Sequence, residues 1–283
     1  MRYKPHVFEL DQVALSISQQ LPPKTIEGLV ALSPHSELRQ ILRPSKNTTY
    51  DRAYPFQIIF SRPSKKFLRA LPIELGTIAA RVSSVELAMD IAADDASEAI
   101  VLMRHFWSST VFKGKSAGTA VQHAERHAAT YLNAPNKEFN VCTYADKTGK
   151  LSSKLASEPI SHFELRLQGT RPLSDAGILS VGDLLHFNHQ RYWANAVRFF
   201  QPPTTKIQVG RALGSEKVSE TALVKRANRL LSKIATVKLN GNISLHQMVR
   251  LHNLEFGALE EVTLDVWLLA AKRGEFTIPV WAR

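Results

Sequence analysis

Apolar and polar residues alternate strictly in two segments of the chain. In Val85-Glu86-Leu87-Ala88-Met89-Asp90-Ile91 every odd position is apolar, and Glu86, Ala88 and Asp90 take the even ones. Period two predicts a strand with one face in a core and the other outside it. His162-Phe163-Glu164-Leu165-Arg166-Leu167 repeats the pattern, with His162, Glu164 and Arg166 on one face. Phe139 to Tyr144 predicts a third strand, on which Asn140, Cys142 and Tyr144 share a face. Shorter strand-like runs cover Val7 to Leu10, Ala14 to Ile17 and Phe56 to Phe60.

Helical spacing marks Ser97 to Trp107, where Ile100, Leu102, Met103, Phe106 and Trp107 make an apolar face. Helices are also expected at Lys65 to Ala80 (interrupted by Pro72), Thr119 to Ala129, Gly177 to Phe187 and Gln190 to Phe200. Pro202-Pro203 and the Gly210 to Ser215 stretch read as a linker. Beyond it, Ser219 to Thr236, Ser244 to His252 and Ala258 to Lys272 look helical. The expected fold class is α+β, an antiparallel-type central sheet backed by helices. The division falls near residue 205, giving an α+β domain over 1–205 and a smaller helical one over 206–283.

Composition narrows the class. Of 283 residues 44% are apolar and 22% charged, enough to bury a core. No window approaches the roughly 18 apolar residues of a membrane span. The first residues are basic without an apolar stretch, unlike a secretory signal. Cys142 is the single cysteine, which excludes an intrachain disulfide and any multi-cysteine zinc site. These features point to a soluble, cytoplasmic protein. Lys and Arg number 36 against 25 Asp and Glu, a formal charge of +11. Such an excess concentrates polyanions near the surface, so nucleic acid is the first partner to expect and an anionic membrane surface the second.

If the three alternating strands lie in one sheet, its polar face gathers Glu86, Asp90, His162, Glu164, Arg166 and Tyr144. A hard divalent cation, Mg²⁺ or Mn²⁺, prefers oxygen ligands and tolerates an imidazole. Glu86 and Glu164, with Asp90 or His162, suit it. Such an ion can clamp a phosphodiester and offset charge in its transition state. Tyr144 is a candidate nucleophile, whose phenol, with an ordinary pKa of about 10, needs a metal, Lys147 or Arg166 nearby. Alternation by itself also describes a solvated sheet face.

The order of the motifs adds to this. Ser84-Val85-Glu86-Leu87-Ala88-Met89-Asp90, then Thr130-Tyr131-Leu132-Asn133 with Phe139 to Lys147, then His162 to Leu167 running on into Arg171-Pro172-Leu173 and Gly182-Asp183-Leu184-Leu185-His186-Phe187 occur in that order. In this the chain resembles the rolling-circle replication initiators, specifically the filamentous-phage replication endonucleases and related plasmid initiators, over about residues 56 to 200. The family pattern has Asp where Glu86 stands and Arg where His162 stands. It spaces tyrosine and lysine by one residue, where this chain has two between Tyr144 and Lys147, so a strand slip or bulge is needed.

The resemblance implies a site-specific, metal-dependent nickase that cuts one strand of an origin through a 5′-phosphotyrosine and can rejoin the ends. It makes Tyr144 the nucleophile, with Tyr131 next in line, and Glu86 and Glu164 the metal carboxylates. Asp90 or His162 would complete the metal site, and Lys147 and Arg166 would steady the phosphate. Expected partners are double-stranded origin DNA, single-stranded DNA, a host helicase and a polymerase; a homodimer is compatible, and no membrane is involved. A non-catalytic origin-binding protein on the same scaffold and a transfer relaxase are the alternatives.

Other motifs carry less. His123 and His127 lie four apart on an expected surface helix, without the adjacent glutamate of zinc proteases. Gly114-Lys115-Ser116 lacks the first glycine of a phosphate-binding loop, Ser109 standing there. Cys142 reads as a small buried residue. Lys225, Arg226, Arg229 and Lys233 make a basic helix able to contact phosphates, or a solvated basic face. Ser244 to His252 and Ala258 to Lys272 suit a helix-turn-helix or a plain cap equally.

Overall fold

The structure, a computed structural model, describes residues 5–33, 37–42, 52–113, 120–123, 129–132, 138–148, 158–202, 205–212, 218–237 and 259–275. Its centre is an antiparallel sheet of eight strands in the order β2-β3-β1-β4-β9-β8-β7-β6. These are β1 (His6–Ile17), β2 (Leu38–Leu42), β3 (Phe56–Ser61), β4 (Ala80–Ala92), β6 (Ala120–His123), β7 (Ala129–Leu132), β8 (Phe139–Thr148) and β9 (Pro159–Gln168). The fold class is therefore α+β, as the alternation predicts. A small second sheet joins β5 (Thr110–Phe112), β10 (Val197–Phe200) and β11 (Glu261–Val262) in the order β11-β10-β5.

One face of the large sheet is the core. Val85, Leu87, Met89 and Ile91 of β4 are fully buried, as are Phe163 and Leu165 of β9 and Val141 of β8. Each such side chain contributes about 1.5–3 kcal/mol through burial, so the register of these strands is strongly fixed. Helix α2 (Lys65–Leu75) covers this face with Phe67 and Leu71, and α3 (Ala96–Ser109) with Leu102, Met103 and Phe106. Asp95 caps α3 by accepting from the Glu98 amide at 2.8 Å, and Glu98 in return accepts from the Asp94 amide at 2.7 Å. Such reciprocal capping holds the helix start. Ser161 donates to the Ala99 carbonyl at 2.6 Å, pinning β9 to α3 one residue before His162.

Strand β1 is one 12-residue element rather than two runs, and its apolar parity switches partway. Before Asp11 the core-facing residues are Phe8 and Leu10; after it they are Val13, Leu15 and Ile17. Pairing with β4 skips Asp11, since Leu10 faces Leu87 and Gln12 faces Glu86. An extra residue of this kind is a β-bulge, which re-aims a side chain and bends the strand.

The remaining helices are α1 (Pro23–Ala31), α4 (Thr170–Asp175), α5 (Val181–His186), α6 (His189–Ala196), α7 (Lys206–Ala212), α8 (Glu220–Val237) and α9 (Leu264–Lys272). Gly169, with φ +87°, turns the chain from β9 into α4, and its amide donates to the Ser83 carbonyl at 3.0 Å. Pro72 lies inside α2, one turn before its end, instead of breaking it.

Several sequence expectations are corrected. Where it is described, the segment Thr119 to Ala129 is strand rather than helix: Ala120–His123 and Ala129–Leu132 are paired strands, β7 extending the sheet from β8. Its alanine content suits a helix, but an open sheet edge supplies backbone partners and tertiary pairing overrides propensity. Gln190 to Phe200 splits, α6 ending at Ala196 and β10 following, because Val197 pairs with Phe112. The linker expected at Gly210 to Ser215 begins inside α7. A Cβ on Gly210 would lie 2.5 Å from the Leu223 carbonyl oxygen of α8, so glycine lets the two helices touch. Ala258 to Lys272 contains β11 before α9. Ser244 to His252 lies outside the described residues.

The segment after residue 205 contributes in two ways. Helices α7 and α8 pack on each other through Val209, Leu223, Ala227 and Leu230. Strand β11 and helix α9 return to the first part of the chain, where Leu264, Trp267, Leu268 and Ala271 join the core cluster of the large sheet. Trp267 stacks edge-on against Phe106 and Phe163, and its indole donates to Ser109 at 3.0 Å.

Candidate active site

The face of the large sheet opposite α2 and α3 carries the candidate chemistry in three rungs. In the first, Val7 of β1, Asp90 of β4, His162 of β9 and Tyr144 of β8 stand in register. In the second, Glu9, Ala88, Glu164 and Cys142 follow one another across the same strands. In the third come Gln12, Glu86, Arg166 and Asn140. Strands are about 4.8 Å apart, so neighbours along a rung touch. Ala88 is the small residue between Glu9 and Glu164, leaving room above it for longer side chains.

His162 is the hub. Its Nδ1 lies 2.6 Å from Asp90 Oδ1, its Nε2 3.3 Å from Glu164 Oε2 and 3.9 Å from Asp11 Oδ2. Burial opposes its charge, but hydrogen bonds and proximity to Asp90 and Glu164 override that and raise its pKa to about 10. Burial works against the Glu164 carboxylate too, yet the His162 hydrogen bond and the Arg166 charge hold its pKa below the ordinary value. Arg166 Nε contacts Glu164 directly and sits 3.3 Å from Glu86 Oε1. Glu86 is pushed up to about 7, first by burial and then by the Glu164 charge. Glu9 is likewise raised to about 7, by burial and then by Asp90.

The face thus holds Glu9, Asp11, Glu86, Asp90 and Glu164 against Arg166 and His162. Carboxyl groups that keep protons near neutral pH mark a surplus of negative charge. Asp11, His162 and Glu164 each offer a ligand atom within 4.8 Å of one another. Two carboxylates and one imidazole suit a hard or borderline divalent ion such as Mn²⁺ or Mg²⁺. With Nδ1–H given to Asp90, displacement of the Nε2 proton would leave a lone pair facing Glu164 and Asp11. This is how a carboxylate usually orients a metal-binding histidine. The donor set fits a divalent cation.

Tyr144 stands beside His162, the two rings 5.7 Å apart between centroids and tilted by 34°. The Arg166 guanidinium also feels the Tyr144 hydroxyl electrostatically. Lys147 is reached across a register shift. Tyr144 pairs with His162 and Lys147 with Ile160, three steps on β8 against two on β9. The extra residue in the Tyr144–Lys147 interval is therefore absorbed by a bulge. Tyr131 on β7 pairs with Cys142.

Of the residues expected from sequence, Glu86, Asp90, Tyr144, His162, Glu164 and Arg166 are brought together on one face. Glu86 pairs with Arg166 and is not in the three-ligand group. Cys142 is fully buried. His123 sits on a strand, and His127 and Gly114-Lys115-Ser116 lie outside the described residues. On α8, Lys225 and Arg229 are exposed and Arg226 is half-buried, with Lys233 on the same helix.

No protein-family model matches the chain, and no curated protein matches it. Among solved structures, the chain is similar to a rolling circle replication initiator protein from Geobacillus stearothermophilus. The two share 9% identity at a TM-score of 0.41, over 80% of this chain and 96% of that one. No helix among the described residues is long and apolar enough to cross a membrane.

Sequence reasoning missed Asp11 and Glu9. The parity switch at Asp11 hides β1 from a search for strict alternation, because the polar residues Glu9, Asp11 and Gln12 straddle the bulge. The signal was the pair of apolar runs, Val7 to Leu10 and Ala14 to Ile17, separated by a short polar insert.

Proposed function

We propose that the chain is a metal-dependent DNA nickase of the rolling-circle initiator kind, cutting one strand of a replication origin. The observation that carries this reading is Tyr144 standing next to His162, over a buried carboxylate–histidine cluster flanked by Arg166. A tyrosine so placed has an anion-binding guanidinium and a cation-binding donor set within reach of one phosphodiester. The motif order of β4, β8 and β9 supports the same reading, as does the net charge of +11.

A divalent ion at this site would polarise the scissile phosphate and offset charge in the transition state. Asp11, His162 and Glu164 would hold it, and Asp90 would keep His162 oriented with its Nε2 lone pair outward. The phenolic oxygen of Tyr144 loses its proton and attacks phosphorus. The bond from phosphorus to the 3′ oxygen breaks, and that oxygen leaves as a hydroxyl after taking up a proton. The products are a 5′-phosphotyrosine and a free 3′-OH able to prime synthesis. One phosphodiester is exchanged for another, so the same groups can rejoin the ends. Arg166 and Lys147 would steady the phosphate oxygens. The exposed cations of α8, in the segment 206–283, would hold flanking duplex by its phosphates.

The test is incubation of supercoiled origin DNA with Mg²⁺ or Mn²⁺ and wild type or Tyr144→Phe, followed by a denaturing gel with and without protease. A 5′-linked adduct lost in the mutant is expected, with nicking reduced to background. Nicking that survives would move the nucleophile, Tyr131 being next. DNA that is bound but never cut would leave a non-catalytic origin binder.

A further inference from the structure

Arg62 has a φ of +46°, and it is the one non-glycine residue with positive φ among the described residues. A side chain disfavours that conformation, which glycine adopts freely, so a non-glycine residue there needs the surroundings to hold it. They do. Its amide donates to the carbonyl of Asp11, the bulge residue, at 2.8 Å, and its carbonyl accepts from Ser33 Oγ at 3.3 Å. Ser33 Oγ also accepts from the Ser64 amide at 2.9 Å, and Ser64 caps α2 through the Phe67 amide at 3.0 Å. The turn from β3 into α2 is thereby tied to the strand that carries a candidate metal ligand.

The side chain in this turn is a cation at the margin of the acidic face. Its charge acts on the Glu9 carboxylate, which in turn feels Asp90 and Asp11. Arg166 lies on the other side of the cluster, in contact with Glu164 and Glu86. The carboxylates and His162 thus lie between the turn that carries Arg62, bonded to β1 through Asp11, and Arg166 on β9. A turn that only had to change direction would be made with less strain by glycine or asparagine. Neither would supply a planar, permanently charged fork for phosphate.

We infer that Arg62 contacts a phosphate of the DNA strand lying in the site, on the β1 side of the phosphate that Arg166 holds. This rests on the nickase reading, and the two arginines would orient the strand across β1, β4 and β9, with the scissile group at the Arg166 and Tyr144 end. The strained backbone is the cost of fixing this turn, and the residue that carries the charge, relative to Asp11.

The experiment uses the full chain, a fluorescently labelled single-stranded oligonucleotide and a series of KCl concentrations, with anisotropy as readout and melting temperature measured in parallel. The variants are Arg62→Gly, which relieves the turn and removes the charge, and Arg62→Lys, which keeps the charge. For a single strand, each phosphate contact contributes about 0.7 to the slope of log affinity against log salt. Arg62→Gly is expected to reduce that slope by about 0.7 and weaken binding about tenfold, while the melting temperature holds or rises. Arg62→Lys is expected to restore the slope. An unchanged slope in Arg62→Gly would overturn the inference; with a lowered melting temperature, it would assign Arg62 to the turn and to Glu9 alone. If wild type binds no oligonucleotide at all, it is the nickase reading that fails.

Discussion

Replacing Glu86 by glutamine tests the charge surplus that makes this face a cation site. Glu86 keeps only 17% of its side chain exposed and has the Arg166 Nε 3.3 Å away. Burial, and then the Glu164 charge, raise its pKa from 4.5 to about 7. The folded value lies above the unfolded one, so the unfolded chain loses this proton first. Stability from this group is therefore present below about pH 4.5 and is lost as pH rises through about 7. At about 1.4 kcal/mol per pH unit, the loss tends toward a ceiling on the order of 3 kcal/mol. Glutamine is neutral throughout and close to the shape of the protonated acid. In chelator-treated protein, Glu86→Gln is expected to change stability little near pH 5 and to raise it by about 1–3 kcal/mol near pH 8.5. Urea unfolding followed by tryptophan fluorescence at the two pH values measures this. Saturating Mn²⁺ should shrink the gain, because the ion offsets the same repulsion. A loss of stability near pH 8.5, or an equal gain at both pH values, would refute the reasoning and make the Arg166 contact the dominant role of Glu86.

Three further outcomes are expected. Asp90→Asn should weaken Mn²⁺ binding by roughly 10–100-fold in a calorimetric titration, since the group that orients His162 no longer carries charge. Because the metal-free His162 holds its proton to about pH 10, Mn²⁺ must displace that proton, and affinity should climb between about pH 6.5 and 10. The same proton stabilises the metal-free fold below about pH 6.5, a contribution lost as pH rises through about 10; pH-dependent melting with and without Mn²⁺ reads both effects. Trp267→Ala should cost about 3–5 kcal/mol and lower the midpoint of the large sheet's own unfolding; an unfolding step confined to the C-terminal segment would contradict the placement of α9 in the common core.

The parts that were legible in the sequence share a physical cause. Strands β4 and β9 lie in the middle of an antiparallel sheet with one face in the core, so their polar residues show at period two and name the opposite face directly. That is why Glu86, Asp90, His162, Glu164 and Arg166 could be grouped before any pairing was known. The bulge between Tyr144 and Lys147 was also foreseeable, as an interval one residue too long. Asp11 was hidden because its own bulge breaks the period that would have revealed it. Strands β6 and β7 were hidden because their alanines favour helix locally and only the edge of β8 makes them strands. The positive φ of Arg62 leaves no mark in composition at all, arginine being a poor signal for a left-handed turn.

The pairing order of the large sheet also sets when the site can exist. Asp11 reaches His162 and Glu164 only through β4, so the three ligands span some 150 positions of chain with two long closures between them. Contacts of such separation make folding slow compared with local pairing. On the ribosome, β1, β3 and β4 can pair as soon as residue 92 has emerged, but that half carries Glu9, Asp11, Glu86 and Asp90 with neither His162 nor Arg166 beside them. The acidic half, with Arg62 at its margin, thus waits for His162 and Arg166 until β9 is made. The interval is several seconds at about 5–20 residues per second, during which an early sheet carries its own repulsion and an open β4 edge.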